Sequence, residues 1–116
     1  TMRTRWRKAH EGSKEAIAAK GGIEAVVEGM KLHNGSVGVQ EKGCGALRSL
    51  AFNNDENRVM IAAAGGIKAV VDGMRAHEGS AGVQERGCGA LRNLAINDEN
   101  KVAIDEQGWP ALCSSE

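Results

Sequence analysis

Hydrophobic residues recur along the chain at the spacing of an amphipathic α-helix. Between residues 66 and 77 the large apolar side chains are Ile67, Val70, Val71 and Met74. They occupy positions i, i+3, i+4 and i+7, which places them on one face of a helix. The same residue types return at positions 23, 26, 27 and 30. Because no segment alternates hydrophobic and polar residues over the length of a strand, the pattern predicts an all-α fold.

Two further helices are predicted after residue 77. The first extends from Ser80 to about residue 97, and its inward positions are Val83, Gly87, Leu91 and Leu94. The second is short, covers residues 99–107, and directs Val102 and Ile104 inward. Each unit of this pattern therefore contains three helices.

The segments between the helices carry residues typical of helix ends. We expect Gly79 to take the left-handed conformation after one helix and Ser80 to cap the next. Gly35 and Ser36 repeat this arrangement 44 residues earlier, and Asn97 provides a cap for the short helix. These breaks predict where the helices end.

The order of helices is repeated within the chain. Of the 32 positions from 21 to 52, nine differ from positions 65 to 96, so 23 are identical at an offset of 44. Residues 9–13 match residues 76–80 and continue directly into the counterpart of residues 58–64, so a whole helix is missing between them. We divide the chain into a partial N-terminal repeat at 1–20, full repeats at 21–64 and 65–107, and the truncated start of a further repeat at 108–116.

A unit of this kind cannot bury its apolar stripes alone, and stacked neighbours complete a continuous core. Residues 57–97 resemble an armadillo repeat in the Gly-Gly-Ile that opens the second helix, the Val-Gln near the start of the third, and the Ala-Leu-x-Asn-Leu-Ala near its end. The resemblance covers residues 14–108, and this part of the chain is similar to the armadillo regions of leucine-rich-repeat kinases and vacuolar armadillo proteins. It implies a right-handed α-α superhelix, an armadillo-type solenoid. In the armadillo count the helix that begins at Ser80 and its counterpart that begins at Ser36 are third helices, and third helices line a concave groove.

The resemblance also implies a binding site in this groove. In importin-α-like members an Asn near the end of each third helix holds the backbone of an extended peptide, and a Trp one turn earlier stacks on its side chains. By position the Asn corresponds to Asn93 in the second repeat and to Ser49 in the first. Gly45 and Gly89 stand where the Trp would be. Without the Trp pair the slots for Lys or Arg side chains are missing, which argues against a role in nuclear import.

Charged residues complete the predicted partner-binding face. It carries Glu41, Arg48, Glu85 and Arg92. Arg48 and Arg92 are equivalent in the two repeats and form a two-step basic ladder, and the fork of a guanidinium suits carboxylates or phosphates. The expected ligand is therefore an acidic or phosphorylated extended segment of a protein or peptide. The alternative is that both Arg side chains are only solvated, or are paired with Glu41 and Glu85.

Four glycines lie inside the predicted third helices, although each costs about 1 kcal/mol relative to Ala in a helix interior. We expect Gly43 and Gly87 to allow close approach of helices in the core. For Gly45 and Gly89, on the predicted groove, we suggest that the backbone of a ligand comes near.

Composition argues against several classes of function. The 15 Lys and Arg residues balance the 15 Asp and Glu residues, whereas nucleic-acid and anionic-membrane binders need an excess of positive charge. No run of 18 apolar residues is present, so no membrane insertion is expected, and no signal peptide opens the chain. We expect the protein in the cytoplasm, with the nucleus as second candidate. The basic residues around Trp6 are interpreted as a solvated end rather than a localisation signal.

Cysteines and histidines are expected to be structural. The three Cys are an odd number without a CxxC pair, which suits a reducing compartment. Cys44 and Cys88 are one repeat apart, too far for one zinc ion, so we expect both to be buried packing residues. His10, His33 and His77 lie at predicted helix ends, where they interact favourably with the helix dipole.

No arrangement of residues points to catalysis, a metal or a cofactor. We therefore interpret the chain as a protein–protein interaction module rather than an enzyme. One alternative is a regulatory or scaffold part of a larger multidomain protein such as a kinase. Another is a repeat fragment that forms homo-oligomers by end-to-end stacking, since stripes of the Ile67 type would be left uncovered at the ends.

Overall fold

A computed structural model describes residues 21–114, with the side chains of residues 112 and 114 excepted. This part of the chain contains helices and no strand, which confirms the all-α prediction. The helices are α1 (Gly22–Leu32), α2 (Val37–Ala51), α3 (Asp55–Ala63), α4 (Gly66–Ala76), α5 (Ala81–Leu94), α6 (Asp98–Gln107) and the four-residue α7 (Ala111–Ser114). The predicted partial repeat at 1–20, with its basic run and His10, lies outside the described residues.

The two full units open with the same backbone conformation. Gly21 and Gly65 are left-handed, with φ and ψ of 80° and 18° and of 86° and 20°. Gly108 also has a positive φ, of 86°, but its ψ is 117°, so the third start differs. Positive φ angles of this kind favour glycine, which explains why the same residue recurs at each start. The extra Asn of the first copy is accommodated in a similar way. Asn53 has a φ of 52°, a conformation that Asn tolerates better than most residues.

Side-chain caps fix the starts of four helices. Ser36 and Ser80 accept hydrogen bonds from the backbone N–H three residues later, at 3.2 Å in both cases. Asn54 and Asn97 do the same at 3.0 and 3.1 Å. Each cap satisfies a backbone donor that the helix leaves unpaired and contributes about 0.5–2 kcal/mol. The predicted caps at Ser36, Ser80 and Asn97 are confirmed.

The predicted hydrophobic stripes form the core. Ile67, Val70, Val71 and Met74 are at most 6% exposed. The inward positions of α5 are also buried, at Val83, Gly87, Leu91 and Leu94. Burial of one large aliphatic side chain contributes about 1.5–3 kcal/mol, so these stripes supply much of the driving force for packing one helix on the next.

Three local predictions are wrong. Val102 is 58% exposed, whereas Ile104 is fully buried. The two are separated by two residues, which is about 200° around a helix, so they cannot both face inward. Gly35 and Gly79 do not have positive φ angles; the left-handed glycines lie at the other end of α1 and α4. Helix α5 ends at Leu94 rather than near residue 97.

The two three-helix units contact each other chiefly through α2 and α5. Glycines in α5 leave room for side chains of α2: a Cβ at Gly82 would lie 2.6 Å from Oε1 of Glu41. Hydrogen bonds also join equivalent parts of the two units. His77 Nε2 is 2.7 Å from the backbone oxygen of Asn34, and the buried Asn100 side chain donates to the backbone oxygen of Arg58 at 3.0 Å.

The cysteines differ from the prediction in one respect. Cys88 and Cys113 form a disulfide, with their Cα atoms 5.4 Å apart. Both are buried, but Cys88 is not the unpaired packing residue that we expected. Sequence spacing alone could not select this pairing, because Cys113 lies in the truncated unit after α6. Cys44 is fully buried and unpaired, as expected, and burial raises the pKa of its thiol to about 12.

Candidate functional site on the third helices

Helices α2 and α5 carry the predicted partner-binding residues. Leu47 and Leu91 are fully buried and fix the rotation of each helix about its axis. The neighbouring residues Arg48 and Arg92 are therefore exposed. A cavity of about 280 Å³ lies between the two helices and is lined by Arg48, Ser49, Phe52 and Asn93. We call it the α2–α5 groove. The structure thus brings together Arg48, Ser49 and Asn93 of the predicted site.

The side chain of Arg48 crosses from one unit to the next. A Cβ at Gly89 would lie 2.6 Å from its Nε atom and 2.7 Å from its Cδ atom. The Arg48 side chain therefore lies over Gly89 and would have to shift if a Cβ were present. A Cβ at Gly45 would be in ordinary contact with Cδ of Arg86, at 3.4 Å. The suggestion that a ligand backbone comes near Gly45 and Gly89 stays a prediction.

Gly43 and Gly87 have the expected role in the core. A Cβ at Gly43 would lie 2.4 Å from Cγ of Met30, and one at Gly87 would lie 2.5 Å from Cγ of Met74. Both Met side chains are buried. Gly43 therefore lets α1 pack closely on α2, and Gly87 lets α4 pack closely on α5, which confirms the prediction.

Asn93 is partly engaged within the protein. Its side-chain Nδ2 donates a hydrogen bond of 3.0 Å to the backbone oxygen of Arg48. This bond holds the amide and leaves its Oδ1 without a hydrogen bond within residues 21–114. Ser49, the equivalent residue of the first unit, is exposed. The groove therefore offers an acceptor from Asn93, a hydroxyl from Ser49 and the guanidinium of Arg48 within one small cavity.

The acidic residues of the predicted face do not pair with Arg48 or Arg92, so of the two alternatives only solvation of both Arg side chains still stands beside the predicted ladder. Glu41 forms an ion pair with Arg86 across the two units, at 3.1 Å between Oε1 and Nη1. Glu85, its equivalent, forms no ion pair within residues 21–114. The sequence reasoning missed Arg86. The basic residue that follows the Glu in both units, Lys42 and Arg86, was the signal that could have found it.

Two large hydrophobic side chains are exposed at the ends of the third helices. Phe52 is 61% exposed and Ile96 is 62% exposed, and they are equivalent positions of the two units. Phe52 lines the α2–α5 groove. A large apolar side chain next to an Arg is a common feature of protein-binding surfaces, where aromatic residues and Arg are enriched.

Other kinds of site receive no support from the described residues. Among them no group of three or more His, Cys, Asp or Glu residues is arranged to hold a metal ion. None of the helices is both long enough and apolar enough to cross a membrane. His33 and His77 lie at the C-terminal ends of α1 and α4, the places that the sequence predicted for them.

Comparison with protein-family models, with curated proteins and with solved structures gives no match for this chain.

Proposed function

We propose that this chain is a protein-interaction module that binds an extended acidic or phosphorylated segment along the α2–α5 groove and catalyses no reaction. The observation that carries the proposal is a repeated pair of exposed residues. Arg48 on α2 and Phe52 just after it correspond to Arg92 on α5 and Ile96 just after it, and all four are exposed. An extended segment that crossed the two helices would meet a positive charge and an apolar side chain twice.

The spacing of these pairs sets the form of the ligand. Packed helices lie about 8–10 Å apart, and an extended chain advances about 3.3–3.6 Å per residue. Two acidic groups about three residues apart would therefore each meet one Arg. The Oδ1 of Asn93 is suited to accept a hydrogen bond from the backbone of such a segment, because the Nδ2 of the same amide is already bonded to the Arg48 carbonyl.

The proposal includes an architecture and a location. The armadillo-type superhelix, with the groove on its concave side, is supported by the 44-residue repeat and by the matching conformations of Gly21 and Gly65. The cytoplasm, or alternatively the nucleus, stays our expectation for its location. The cysteines do not support this expectation, because disulfides such as Cys88–Cys113 are rare in reducing compartments.

Binding of short labelled peptides would test the proposed function. One peptide carries two phosphoserines three residues apart, and a second peptide of equal length carries Lys at the same positions. Fluorescence anisotropy should show binding of the first peptide and not of the second. Arg48→Ala and Arg92→Ala should each weaken this binding by up to about fivefold, the upper end of the range for exposed charge pairs of about 0.2–1 kcal/mol. Added salt should weaken it further.

Lys68→Ala provides the matched control. Lys68 is exposed on α4 and forms an ion pair with Asp72, so its loss removes one positive charge away from the groove. The proposal fails if Lys68→Ala weakens binding as much as the groove variants do, or if the two peptides bind equally well. Circular dichroism of each variant checks that the helices are retained.

A further inference from the structure

A second groove lies on the opposite side of the first unit, between α1 and α2. We call it the α1–α2 groove; it has a volume of about 290 Å³ and is lined by Ala25, Val26, Gly29, Met30, Val39, Lys42, Gly43 and Ala46. These residues belong to α1 and α2 alone, so within residues 21–114 no third element contributes to the groove. Most of the lining residues are small or apolar, as in a surface that another helix covers.

The second unit shows what covers a surface of this kind. The counterparts of the lining residues 44 positions later include Ala69, Val70, Val83 and Ala90, which are 5%, 0%, 0% and 0% exposed. The residue types are identical in the two units, but Ala25 is exposed and Val26, Val39 and Ala46 are only half-buried. Among residues 21–114 the difference arises because α2 of the first unit packs on the second unit, whereas no equivalent described helix packs on the first.

Contacts across the two units define what such a helix must carry. A Cβ at Gly73 would lie 2.6 Å from Oε1 of Gln40, and Glu41 pairs with Arg86 at 3.1 Å. On α5 the residues equivalent to Gln40 and Glu41 are Gln84 and Glu85. On the α1–α2 groove the equivalents of Gly73 and Arg86 are Gly29 and Lys42. Gln84 and Glu85, on the end face of the second unit, are therefore the partners expected for Gly29 and Lys42 of the α1–α2 groove.

The charges and spaces at these two faces are unused within the described chain. Lys42 and Glu85 form no ion pair within residues 21–114, and a Cβ at Gly29 would have nothing within 4 Å. A cavity of about 540 Å³ lies beside Gln84 on the end face of the second unit. Gln84 corresponds to Gln40 of the first unit. The space beside Gln40 is occupied by Gly73 of the second unit.

The sequence of residues 1–20 has no counterpart of α2 and α5. It matches the end of one helix and then continues directly into the counterpart of residues 58–64. Helix α5 of a second copy is identical to α2 at 12 of the 15 positions from 37 to 51. A second copy is therefore the expected occupant, because its α5 carries nearly the same residues as the α2 that covers the second unit.

Residues 108–114 stand in the way of this contact. Gly108 lies beside Arg75 as Gly65 lies beside the equivalent Lys31, and the single turn of α7 follows it as α4 follows Gly65. The segment thus occupies the place that residues 21–27 of a second copy would take. The disulfide between Cys113 and Cys88 of α5 holds it there, together with a hydrogen bond of 2.7 Å from Trp109 Nε1 to Asp105. Without the disulfide, a four-residue helix is too short to hold its place through its own backbone hydrogen bonds.

We propose that the α1–α2 groove binds the end face of the second unit of another copy, and that reduction of the Cys88–Cys113 disulfide permits this by releasing residues 108–114. A small thiol attacks the disulfide, and the mixed disulfide that forms is resolved by a second thiol. Two thiols are thereby oxidised to one external disulfide, and Cys88 and Cys113 become free thiols. Because the two faces differ, the contact is heterologous and continues beyond a dimer.

Sedimentation of the full chain over a range of concentrations tests the proposal. The oxidised chain should keep the monomer mass. The chain treated with dithiothreitol, and the variant Cys113→Ser without it, should both show a mass that rises with concentration beyond that of a dimer. If either remains monomeric at every concentration, the α1–α2 groove does not bind a second copy. If the oxidised chain associates equally well, the disulfide does not control the contact.

Substitutions in the Cys113→Ser background identify the surface. Lys42→Glu faces Glu85 of the next copy with a like charge and should raise the dissociation constant at least about tenfold. Adding Glu85→Lys should restore association, because the charge pair is then reversed. Gly29→Ala should weaken association by filling the space for Gln84. If association is insensitive to all three changes, a different surface is responsible. Gly29 and Lys42 lie outside the predicted partner-binding face, so Gly29→Ala and Lys42→Glu test association independently of peptide binding, and Glu85→Lys serves only to restore association.

Discussion

At the scale of single residues, burial controls the chemistry of Cys44. Its side chain is fully buried, and burial raises the pKa of the thiol to about 12 because the thiolate loses its hydration. The thiolate is the nucleophilic form of Cys. Iodoacetamide at pH 8 should therefore leave the folded, oxidised protein unmodified, and should add one label after unfolding without reductant, since Cys44 is the one unpaired Cys.

Mass spectrometry after proteolysis would measure this labelling. A label on Cys44 in the folded protein would show that α1 and α2 separate often enough to expose its thiol. Cys88 and Cys113 serve as internal controls, because both should become reactive only when a reductant is added to the unfolded chain.

Residue burial could be predicted wherever one helical face repeats. The stripe at Ile67, Val70 and Met74 was identified from spacing alone and is buried. Spacing failed in the short helix α6, where the apolar residues are few and Val102 was assigned to the wrong face. There the buried polar residue Asn100 indicates the inward face together with Ile104, four residues later. A pattern based on hydrophobic residues alone does not include such a residue.

At the scale of helices, the same substitution should have opposite effects in the two units. Gly29 and Gly73 are equivalent positions in α1 and α4. A Cβ at Gly29 would meet nothing within 4 Å, so Gly29→Ala should stabilise the monomer by up to about 1 kcal/mol, the difference in helix propensity. A Cβ at Gly73 would lie 2.6 Å from Gln40 Oε1, so Gly73→Ala should destabilise it by about 1–3 kcal/mol.

Gln40 cannot easily move away from a side chain at position 73. It is fully buried, and its Nε2 donates hydrogen bonds of 2.9 Å to the backbone oxygens of Met30 and His33. Urea unfolding of the oxidised monomer measures both free energies. Equal effects of Gly29→Ala and Gly73→Ala would show that packing of α2 on the second unit imposes no constraint at Gly73.

The helices and their caps were predicted more accurately than the contacts between units. Repeated Ser and Asn caps and the Gly-Gly-Ile starts are local signals, and they lie where the sequence placed them. The contact between the Arg48 side chain and Gly89 was not predictable, because it joins residues that are 41 positions apart in the chain. Such a contact is visible only when the neighbouring unit is in place.

At the scale of the whole molecule, the two units resemble each other more closely in sequence than in surroundings. The repeat predicted their helices, the approximate face of the candidate site, and the pairing of α2 with α5 as successive third helices. It did not predict the Cys88–Cys113 disulfide, since the first unit has Cys44 at the equivalent point without a bonded partner. A repeat predicts only features that recur, and the disulfide needs Cys113, which lies after α6 and has no bonded counterpart in the first unit.

Cohesion between the units should depend on Asn100. Its side chain is 4% exposed and donates a 3.0 Å hydrogen bond to the backbone oxygen of Arg58 in the preceding unit. Asn100→Ala leaves that buried carbonyl without this donor, which should lower the free energy of unfolding by about 1–3 kcal/mol. Asn34→Ala is the matched control, because the exposed Asn34 side chain forms no hydrogen bond within residues 21–114, and it should change stability by less than about 0.5 kcal/mol.

The shape of the unfolding curve gives a second result. The first unit covers Val70, Val83 and Ala90 of the second, so neither unit can unfold without exposing apolar surface of the other. Urea unfolding of the oxidised chain should therefore follow one transition, and Asn100→Ala should lower its midpoint without changing its slope. Two separate transitions in the variant alone would mean that Asn100 contributes to the coupling between the units as well as to their stability. Two transitions in the unmodified chain would contradict the prediction that the units form one cooperative structure.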